Sequence, residues 1–455
     1  MLSIAHIWLD RLGVFVVMVA LLLGGCSSYQ GDIPLEELDR QVAALLTQQQ
    51  VTAESIAVEM DYTLKSPLVE LGQMLFFDKI LSGNQNISCA TCHHPSLASG
   101  DALSLPLGVG ARGLGQDRQG GPVIPRNAPE IFNRNHPAWQ SMFWDSRANR
   151  EGGHFYSPAH QQLPEGLTSI LAVQAMFPVT SRDEMRGSLT DCSPSNELAC
   201  FTNDDFRGIW QALMQRLRDI PKYQPLFEAA YGKPMDEMSF VEVANAIAAF
   251  EELAFSHWDS PFDRYVKGDG GALNWEEKYG AWIFFSGRGN CSSCLSWPLF
   301  SDQQHYNLAL PHISPGKDDH YQEFGYLDSG RYRETGARKD LFAFRTPPLR
   351  NIALTGPYMH NGAYASLADS IRHHLNPKAS LDNYDPSQLS AAARPLYRPE
   401  LNSLISERID IGRRCSMDWE IDRLVDFLNS LSSPKAQDLN YLVPNQVPSA
   451  LPVSD

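Results

Sequence analysis

The chain has 455 residues, 43% apolar and 20% charged, which is the composition of a folded protein rather than a disordered one. Its 37 basic and 53 acidic side chains give a net charge of −16, so a nucleic-acid partner, which needs a basic face, is not expected. The 8 cysteines are too few for a disulfide scaffold of this size, and their spacing indicates other chemistry.

Residues 1–26 have the pattern of an export signal. An apolar run from 12 to 23, interrupted only by Gly13, is too short to span a bilayer but has the length of a signal core. Small residues then precede Cys26, as in bacterial lipoprotein signals, where this cysteine is lipidated. An ordinary signal peptide and a short anchor are the alternatives. All three place the body outside the cytoplasm, and we expect a periplasmic protein attached by lipid to a bacterial membrane, the outer one.

The next segments predict a tether and then a repeated unit. Residues 27–65 are expected to form the tether, with a helix over 33–50 that has Pro34 near its start. Similar apolar segments at 71–77 and 279–285 are each followed by Ser-Gly, a Cys-x-x-Cys pair and a proline. Two copies of so long a unit predict two related domains, 66–268 and 269–432, rather than a solenoid.

The first cysteine pair is Cys89-x-x-Cys92 followed by His93, the attachment motif of c-type haem. Two thiols three residues apart on a helical turn can form thioethers to both vinyl groups of one haem, and the histidine then reaches the iron. A zinc half-site or a redox disulfide is the alternative. The predicted export of the chain favours haem.

Between the two pairs the sequence predicts helices over 204–219 and 239–255, because apolar residues recur at three- and four-residue spacing. Long alternating strand patterns are absent, and 32 Gly and 30 Pro indicate long irregular loops. Cys192 and Cys200 bracket a short loop, and in an oxidising compartment we expect them to form a disulfide. The expected fold class is mainly α.

The second pair, Cys291-x-x-Cys294, is followed by Leu295, which cannot ligate iron. The thiols could still hold a haem with a substitute ligand, or they could form a disulfide. Cys415 is left over, and a buried free thiol is its default interpretation. The segment 433–455, with 4 prolines and little periodicity, is predicted to be a flexible tail.

On the basis of these motifs the sequence resembles the bacterial di-haem cytochrome c peroxidases. It also resembles their relative, the di-haem enzyme that matures the tryptophan-derived quinone of methylamine dehydrogenase. The likeness covers about residues 66–429 and implies two cytochrome-c-like helical domains joined by long irregular loops. The shared blocks are 71–78, 81–83, 88–93, 126–129, 143–147, 174–175, 184–185, 344–347, 349–351 and 354–362.

The resemblance implies roles for several residues around the first haem. His93 matches the proximal ligand of the peroxide-binding haem, and Glu184 matches the distal carboxylate that moves a proton during peroxide cleavage. Gln174 resembles the amide that orients peroxide. Trp144 matches the electron relay between the haems. If the resemblance is set aside, the sequence alone favours a solvated helix terminus for Glu184 and leaves Trp144 open to interpretation as a core aromatic.

A calcium ion between the haems is also implied. Asn127, Thr355 and Pro357 match the residues that surround it, with side-chain and backbone oxygens as hard ligands. Without the family, the segment containing Thr355 and Pro357 is simply a turn.

Two departures from the family pattern affect the expected chemistry. Family members that need reductive activation cap the resting iron with a histidine after the first motif, but residues 95–128 contain neither His nor Met. We therefore predict an open sixth position on the first haem. At the second site, the ligand opposite the motif would fall at His374, although this residue and His373 could instead be ordinary helix residues.

We expect a c-type haem peroxidase that reduces hydrogen peroxide with electrons from a small cytochrome c or a similar periplasmic donor. A basic cytochrome would be attracted by the acidic surface. One alternative is a haem enzyme that oxidises Trp or Tyr residues of a partner protein, and another is an electron-transfer haem lipoprotein without catalysis. The expected cofactors are one haem c, a second whose presence Leu295 leaves open, and calcium. Expected partners also include the membrane, through the lipid anchor, and a second copy of the chain in a homodimer.

Overall fold

The computed structural model describes residues 33–56, 58, 63–313, 315–317, 327–414 and 416–454. The predicted signal segment with Cys26, and also Cys415, lie outside the described residues. Within them no helix is both long and apolar enough to cross a membrane. The chain is mainly helical, as predicted. The helices are α1 (Leu35–Gln48), α2 (Pro67–Phe77), α3 (Cys89–Cys92), α4 (Ile170–Ala175), α5 (Phe206–Arg218), α6 (Tyr223–Tyr231), α7 (Phe240–Ala254), α8 (Pro261–Val266), α9 (Trp275–Phe285), α10 (Tyr332–Thr335), α11 (Leu367–Leu375), α12 (Pro377–Asp382), α13 (Asn402–Ile405) and α14 (Asp418–Asn429).

Strands contribute little to the part of the chain that is described. β1 (Ser141–Met142), β2 (Ala148–Glu151) and β3 (His154–Tyr156) form an antiparallel sheet in that order. In its register Met142 lies opposite Ala148, and Arg150 lies opposite Phe155. β4 (His305–Tyr306) pairs antiparallel with β5 (Phe344–Arg345). Loops and short 3-10 turns connect most of the helices, as the Gly and Pro content predicts.

The internal repeat reappears as two similar helix crossings. α2 packs against α7 in the larger core, and α9 packs against α14 in the second core. Gly72 and Gly280 hold the same position in the two copies. A Cβ at Gly72 would clash with the Ala246 carbonyl oxygen, and a Cβ at Gly280 would clash with that of Arg423. Glycine therefore permits the close approach of the backbones in both copies.

The N-terminal helix packs on the second core rather than on the first. Leu38, Val42 and Leu46 of α1 are buried against α9. The Gln49 side chain donates to the Phe285 carbonyl at 2.7 Å, and Lys278 pairs with Asp39 at 2.8 Å. The predicted tether thus contributes to the interior of the second half. The predicted boundary at 268/269 stays a prediction, but α8 before it already buries Phe262 in the second core.

The C-terminal segment packs on the first half, so the prediction of a flexible tail is wrong. Its apolar side chains are buried in the first core. Ser449 donates from its hydroxyl to Asp78 at 2.6 Å, and Gln73 donates to the Leu442 carbonyl at 2.7 Å. Prolines prevent a regular helix here, but short turns still direct apolar residues inward. The buried tail residues are Ala436, Leu439, Leu442 and Val447.

Candidate functional site

The first cysteine pair occupies a single helical turn, α3. Ser88 caps the turn, since its backbone N–H donates to the Thr91 hydroxyl at 3.1 Å. Neither Cys89 nor Cys92 is in a disulfide, and both are half-buried. Burial raises the pKa of Cys89 to about 12, and the charge of Glu251 adds to this shift. The Cys89 thiol is therefore protonated, unlike the thiolates of a zinc site, and the pair fits attachment to haem vinyl groups.

His93 is arranged as a ligand. Its backbone N–H donates to the Cys89 carbonyl at 3.0 Å, and its Nδ1 lies 3.1 Å from the Ser99 carbonyl oxygen. A carbonyl only accepts, so Nδ1 carries the proton and Nε2 keeps a lone pair for iron. Burial lowers the pKa of His93, which favours the neutral, ligating form. Cys89, Cys92 and His93 together fit a c-type haem.

α4 and the turn that follows it carry the predicted distal residues. Gln174 is half-buried near the end of α4, and Glu184 is half-buried in a π-helical turn over Arg182–Arg186. Backbone bonds hold this turn on both sides of Glu184. The Val109 N–H donates to the Asp183 carbonyl at 3.0 Å, and the Gly83 N–H donates to the Met185 carbonyl at 2.7 Å. Glu184 is thus presented by a rigid loop.

A disulfide supports the same loop. Cys192 and Cys200 are joined with an S–S distance of 2.02 Å, the pairing that their spacing predicts. Asn196, between them, donates to the Arg186 carbonyl at 3.0 Å. Arg182 donates to the Ala199 carbonyl at 3.1 Å. The closed loop is therefore a brace for the turn that carries Glu184.

Lys317 is a residue near Glu184 that the sequence did not indicate. Burial and the charges of Arg147 and Arg126 lower the pKa of Lys317 to about 8, while Glu184 and Asp145 act in the opposite direction. A lone lysine between a glycine and an acidic segment reads as surface charge, so only the fold reveals its carboxylate neighbours.

Trp144 lies in a chain of aromatic rings at the cavity of the second cysteine pair. It is buried, and its indole N–H donates to the Asn127 carbonyl at 2.9 Å. Its ring centroid is 6.4 Å from that of His360, in a T-shaped arrangement. His360 in turn stacks on Phe344 at 3.5 Å. Trp144, His360 and Phe344 all line the cavity of the second cysteine pair, so the rings connect toward that site.

A buried ion network borders the cavity of the second cysteine pair, where Asp328 is one of the lining residues. Arg126 donates to both carboxylate oxygens of Asp328, at 2.7 and 2.8 Å, and also pairs with Asp145. Arg331 donates to the Asp145 carbonyl at 2.6 Å. Burial alone would raise the pKa of Asp328, but Arg126 holds it at about 2. The network joins residues far apart in sequence, which charge patterning alone does not reveal.

The second cysteine pair lines a cavity of about 240 Å³. Cys291 and Cys294 are free, so the disulfide alternative is not what the structure shows. Burial raises the pKa of Cys291 to about 12, as at the first site. Leu295 and His374 also face this space. The cavity walls are largely apolar and include Phe284, Ile352, Met359, Ile371, Leu424 and Leu428.

The two histidines of α11 have different surroundings. His373 is fully buried, with Nε2 2.7 Å from the Leu308 carbonyl oxygen and Nδ1 2.8 Å from the Tyr364 hydroxyl. His374 has its Nδ1 2.8 Å from the Ser370 carbonyl oxygen, and it lines the cavity. His373 is therefore structural, whereas His374 keeps Nε2 for a ligand.

The residues matched to calcium also border this cavity. Asn127, Thr355 and Pro357 all line it. The Asn127 amide donates to the Leu103 and Ser104 carbonyls at 2.9 and 3.3 Å, which leaves its Oδ1 as an acceptor for a hard cation. In the described ranges no three His, Cys, Asp or Glu side chains form a metal cluster.

These features define a class of protein. Two similar helix crossings each carry a Cys-x-x-Cys turn, one of the turns is followed by a histidine oriented to bind iron, and aromatic rings line the cavity at the other. This arrangement is that of a mainly helical c-type haem protein.

Comparisons with known proteins agree. The model of the di-haem cytochrome c peroxidase family matches residues 66–271. The methylamine utilization protein MauG of Methylorubrum extorquens is 30% identical over 308 residues, covering 68% of each chain. The cytochrome c551 peroxidase of Pseudomonas aeruginosa is 32% identical over 302 residues, covering 66% of this chain and 70% of that protein.

The fold is also found in solved structures. A MauG-like protein associated with microbial copper homeostasis gives a TM-score of 0.56 at 24% identity, covering 84% of this chain and 93% of that chain. The chain therefore belongs to the di-haem cytochrome c peroxidase family. It is an oxidoreductase of the cytochrome c peroxidase type, and the cofactor of its family is haem c.

Proposed function

We propose that this protein faces the periplasm and reduces hydrogen peroxide to water with electrons from a small cytochrome c. Glu184 carries the proposal, because a carboxylate is held by backbone bonds on both sides in the half of the chain that contains Cys89, Cys92 and His93. A haem held by those three residues would supply the redox centre that gives two electrons to peroxide and is then reduced again one electron at a time.

Proton movement is assigned to the chain's own residues. Glu184 takes a proton from one peroxide oxygen and returns it to the other, so that the O–O bond breaks with water as the leaving group. Gln174 orients peroxide through its amide. Two electrons and two further protons complete the conversion of peroxide to two waters. Trp144 and the stacked pair His360–Phe344 provide the path for electrons from the second site.

The test is peroxide-dependent oxidation of reduced cytochrome c by the purified holoprotein, followed by absorbance. Glu184→Gln should lower the rate at least about 100-fold, the range expected for loss of a general acid–base group. Asp183→Asn, which changes the neighbouring exposed carboxylate of the same turn, should leave the rate within a few-fold. Equal rates for Glu184→Gln and Asp183→Asn would contradict the role of Glu184.

A second candidate function is oxidation of Trp or Tyr residues in a partner protein. One observation favours it: residues 95–128 offer no His or Met to cap the first iron, as in the quinone-maturing relative. Failure to oxidise cytochrome c, combined with peroxide-dependent modification of a co-purifying protein, would favour this function. A haem lipoprotein without catalysis would show neither reaction.

The remaining proposals concern location and ligands. A lipid on Cys26 would be detected by labelling cells with palmitate, and Cys26→Ser should abolish both the label and retention in the outer membrane. Calcium bound through Asn127, Thr355 and Pro357 would be detected by elemental analysis. Asn127→Ala should lower its occupancy. A homodimer would be shown by the mass of the native protein in solution.

A further inference from the structure

The second cysteine pair lies in a 3-10 turn, whereas the first lies in an α-helical turn, but the two share one backbone hydrogen bond. The Leu295 N–H donates to the Cys291 carbonyl at 3.0 Å, as the His93 N–H does to the Cys89 carbonyl at 3.0 Å. The backbone of Leu295 therefore holds the position that the backbone of His93, the expected iron ligand, holds in the first site. Its side chain has no lone pair, so this position of the iron would receive nothing from the motif.

The site nevertheless retains the features needed to hold a haem. Protein interiors are normally close-packed, yet a cavity remains beside two unoxidised thiols. Its walls include Phe284, Leu424 and Leu428. A site that had lost its cofactor would be expected to fill this space with larger side chains. The open space argues that a large apolar group with affinity for two thiols occupies it.

His374 is the side chain best placed to bind iron there. Its Nδ1 bonds within its own helix to the Ser370 carbonyl, which orients the ring and leaves Nε2 unprotonated. Its neighbour His373 has both ring nitrogens engaged and cannot replace it. Because His374 lies on α11 and not on the motif, it would bind the iron independently of Leu295.

Other side chains of the cavity are less suited to this role. Tyr306 donates its hydroxyl to Asp302 at 2.8 Å, which keeps the phenol protonated. His360 is held by its stacking on Phe344 and by its contact with Trp144. Met359 and His312 are the remaining competitors, because both residues also line the cavity. Loss of the iron–histidine signal in His374→Gly separates His374 from His312. Spectroscopy separates a thioether ligand from an imidazole.

We propose that the second site carries a covalently attached haem whose iron has His374 as its single side-chain ligand, with the position above Leu295 open to a small diatomic ligand. Attachment adds each thiol across one vinyl group. The S–H bond breaks, an S–C bond forms, and the hydrogen passes to the other vinyl carbon without net oxidation. This inference concerns the ligands of the second site and does not depend on the proposed peroxidase activity.

The first measurement is the number of haems on the full-length holoprotein, by intact mass and a pyridine haemochrome assay. Two haems are expected, and Cys291→Ala with Cys294→Ala should leave one. A single haem in the unaltered protein would overturn the proposal at once. No catalytic assay is involved, so this result is independent of whether the protein reduces peroxide.

The second measurement is binding of carbon monoxide to the reduced protein, with spin state followed by electron paramagnetic resonance of the oxidised form. We expect two carbon monoxide molecules per chain. Leu295→His should supply the missing ligand, reduce binding to one per chain and convert one high-spin signal to a low-spin bis-histidine signal. An unchanged stoichiometry in Leu295→His, with both haems present, would contradict an open position at Leu295.

The identity of the ligand is tested by substitution. His374→Gly should lose the iron–histidine stretch of the second haem in resonance Raman spectra, and added imidazole should restore it. Met359→Leu is the control and should leave the spectra unchanged. If Met359→Leu instead removes a near-infrared thioether band, the ligand is Met359 and the proposal is wrong. If His374→Gly does not fold, the unaltered protein and Met359→Leu are compared instead. Each should show two iron–histidine stretches, one for each haem, and a single stretch in either protein would contradict the proposal.

Discussion

Glu251 is a buried carboxyl group that should lower the stability of this protein at neutral pH. It lies on α7, is 5% exposed, and its Oε2 has no hydrogen-bond partner. Burial, aided by the charge of Glu252 and opposed by Arg134, raises the pKa of Glu251 from 4.5 to about 8. Glu251→Gln replaces this group with a neutral side chain of nearly the same shape.

The sign and size follow from proton linkage. Below pH 4.5 the carboxyl group is protonated in both the folded and unfolded states and contributes no difference. Between pH 4.5 and about 8 only the unfolded state loses the proton, so the free energy of unfolding falls by about 1.4 kcal/mol per pH unit. Above pH 8 the loss is complete. From pH 5 to pH 8 the wild-type protein should therefore lose about 4 kcal/mol relative to Glu251→Gln.

The assay is urea unfolding of the haem-loaded protein at pH 5 and pH 8, with stability taken from the transition midpoints. Glu251→Gln should be clearly more stable than wild type at pH 8 and close to it at pH 5. Glu165→Gln, which changes an exposed carboxyl group, serves as the control and should follow the wild type at both pH values. Parallel pH dependence of Glu251→Gln and wild type would refute the reasoning.

Three further predictions concern the brace, the relay and the repeat. Replacing Cys192 and Cys200 with Ser should lower the free energy of unfolding, measured by urea unfolding, by about 2–3 kcal/mol. The same change should slow the reaction with peroxide in stopped-flow absorbance measurements. An unchanged peroxide rate would show that the loop does not support Glu184. Trp144→Phe should cost about 1 kcal/mol through loss of the bond to the Asn127 carbonyl. It should also slow electron transfer between the haems in rapid-mixing experiments, and an unchanged rate would remove Trp144 from the path. Gly280→Ala should lower the free energy of unfolding by about 1–3 kcal/mol, because the added Cβ would clash with the Arg423 carbonyl oxygen and push α9 away from α14. Ala281→Gly on the same helix adds no atom and therefore causes no such clash.

The sequence predicted the helical elements well because their apolar spacing is regular. The expected helices over 33–50, 204–219 and 239–255 appear as Leu35–Gln48, Phe206–Arg218 and Phe240–Ala254. The repeat at 71–77 and 279–285 likewise corresponds to α2 and α9. In each case the pattern of buried residues comes from local periodicity, which a single sequence displays.

The packing of the tail, the buried ion pair of Arg126 and Asp328, and the second cysteine site could not be predicted in this way. Leu439 and Leu442 are buried by a partner surface more than 300 positions away, and nothing in their local pattern indicates it. Arg126 and Asp328 read as surface charges until the fold brings them together. At the second site, Leu295 shows only that one ligand is missing. Whether a cavity persists there depends on side chains from several helices.

The exchange of the two chain ends between the cores has a consequence for how the molecule can be divided. α1, from the start of the chain, packs into the core of the second half, and residues 433–454, from its end, pack into the core of the first half. Neither half expressed alone would have a complete interior. Proteolysis at one terminus should damage the haem site of the distant half rather than that of the near one. The repeat counts as two units in sequence, but the molecule should unfold as one.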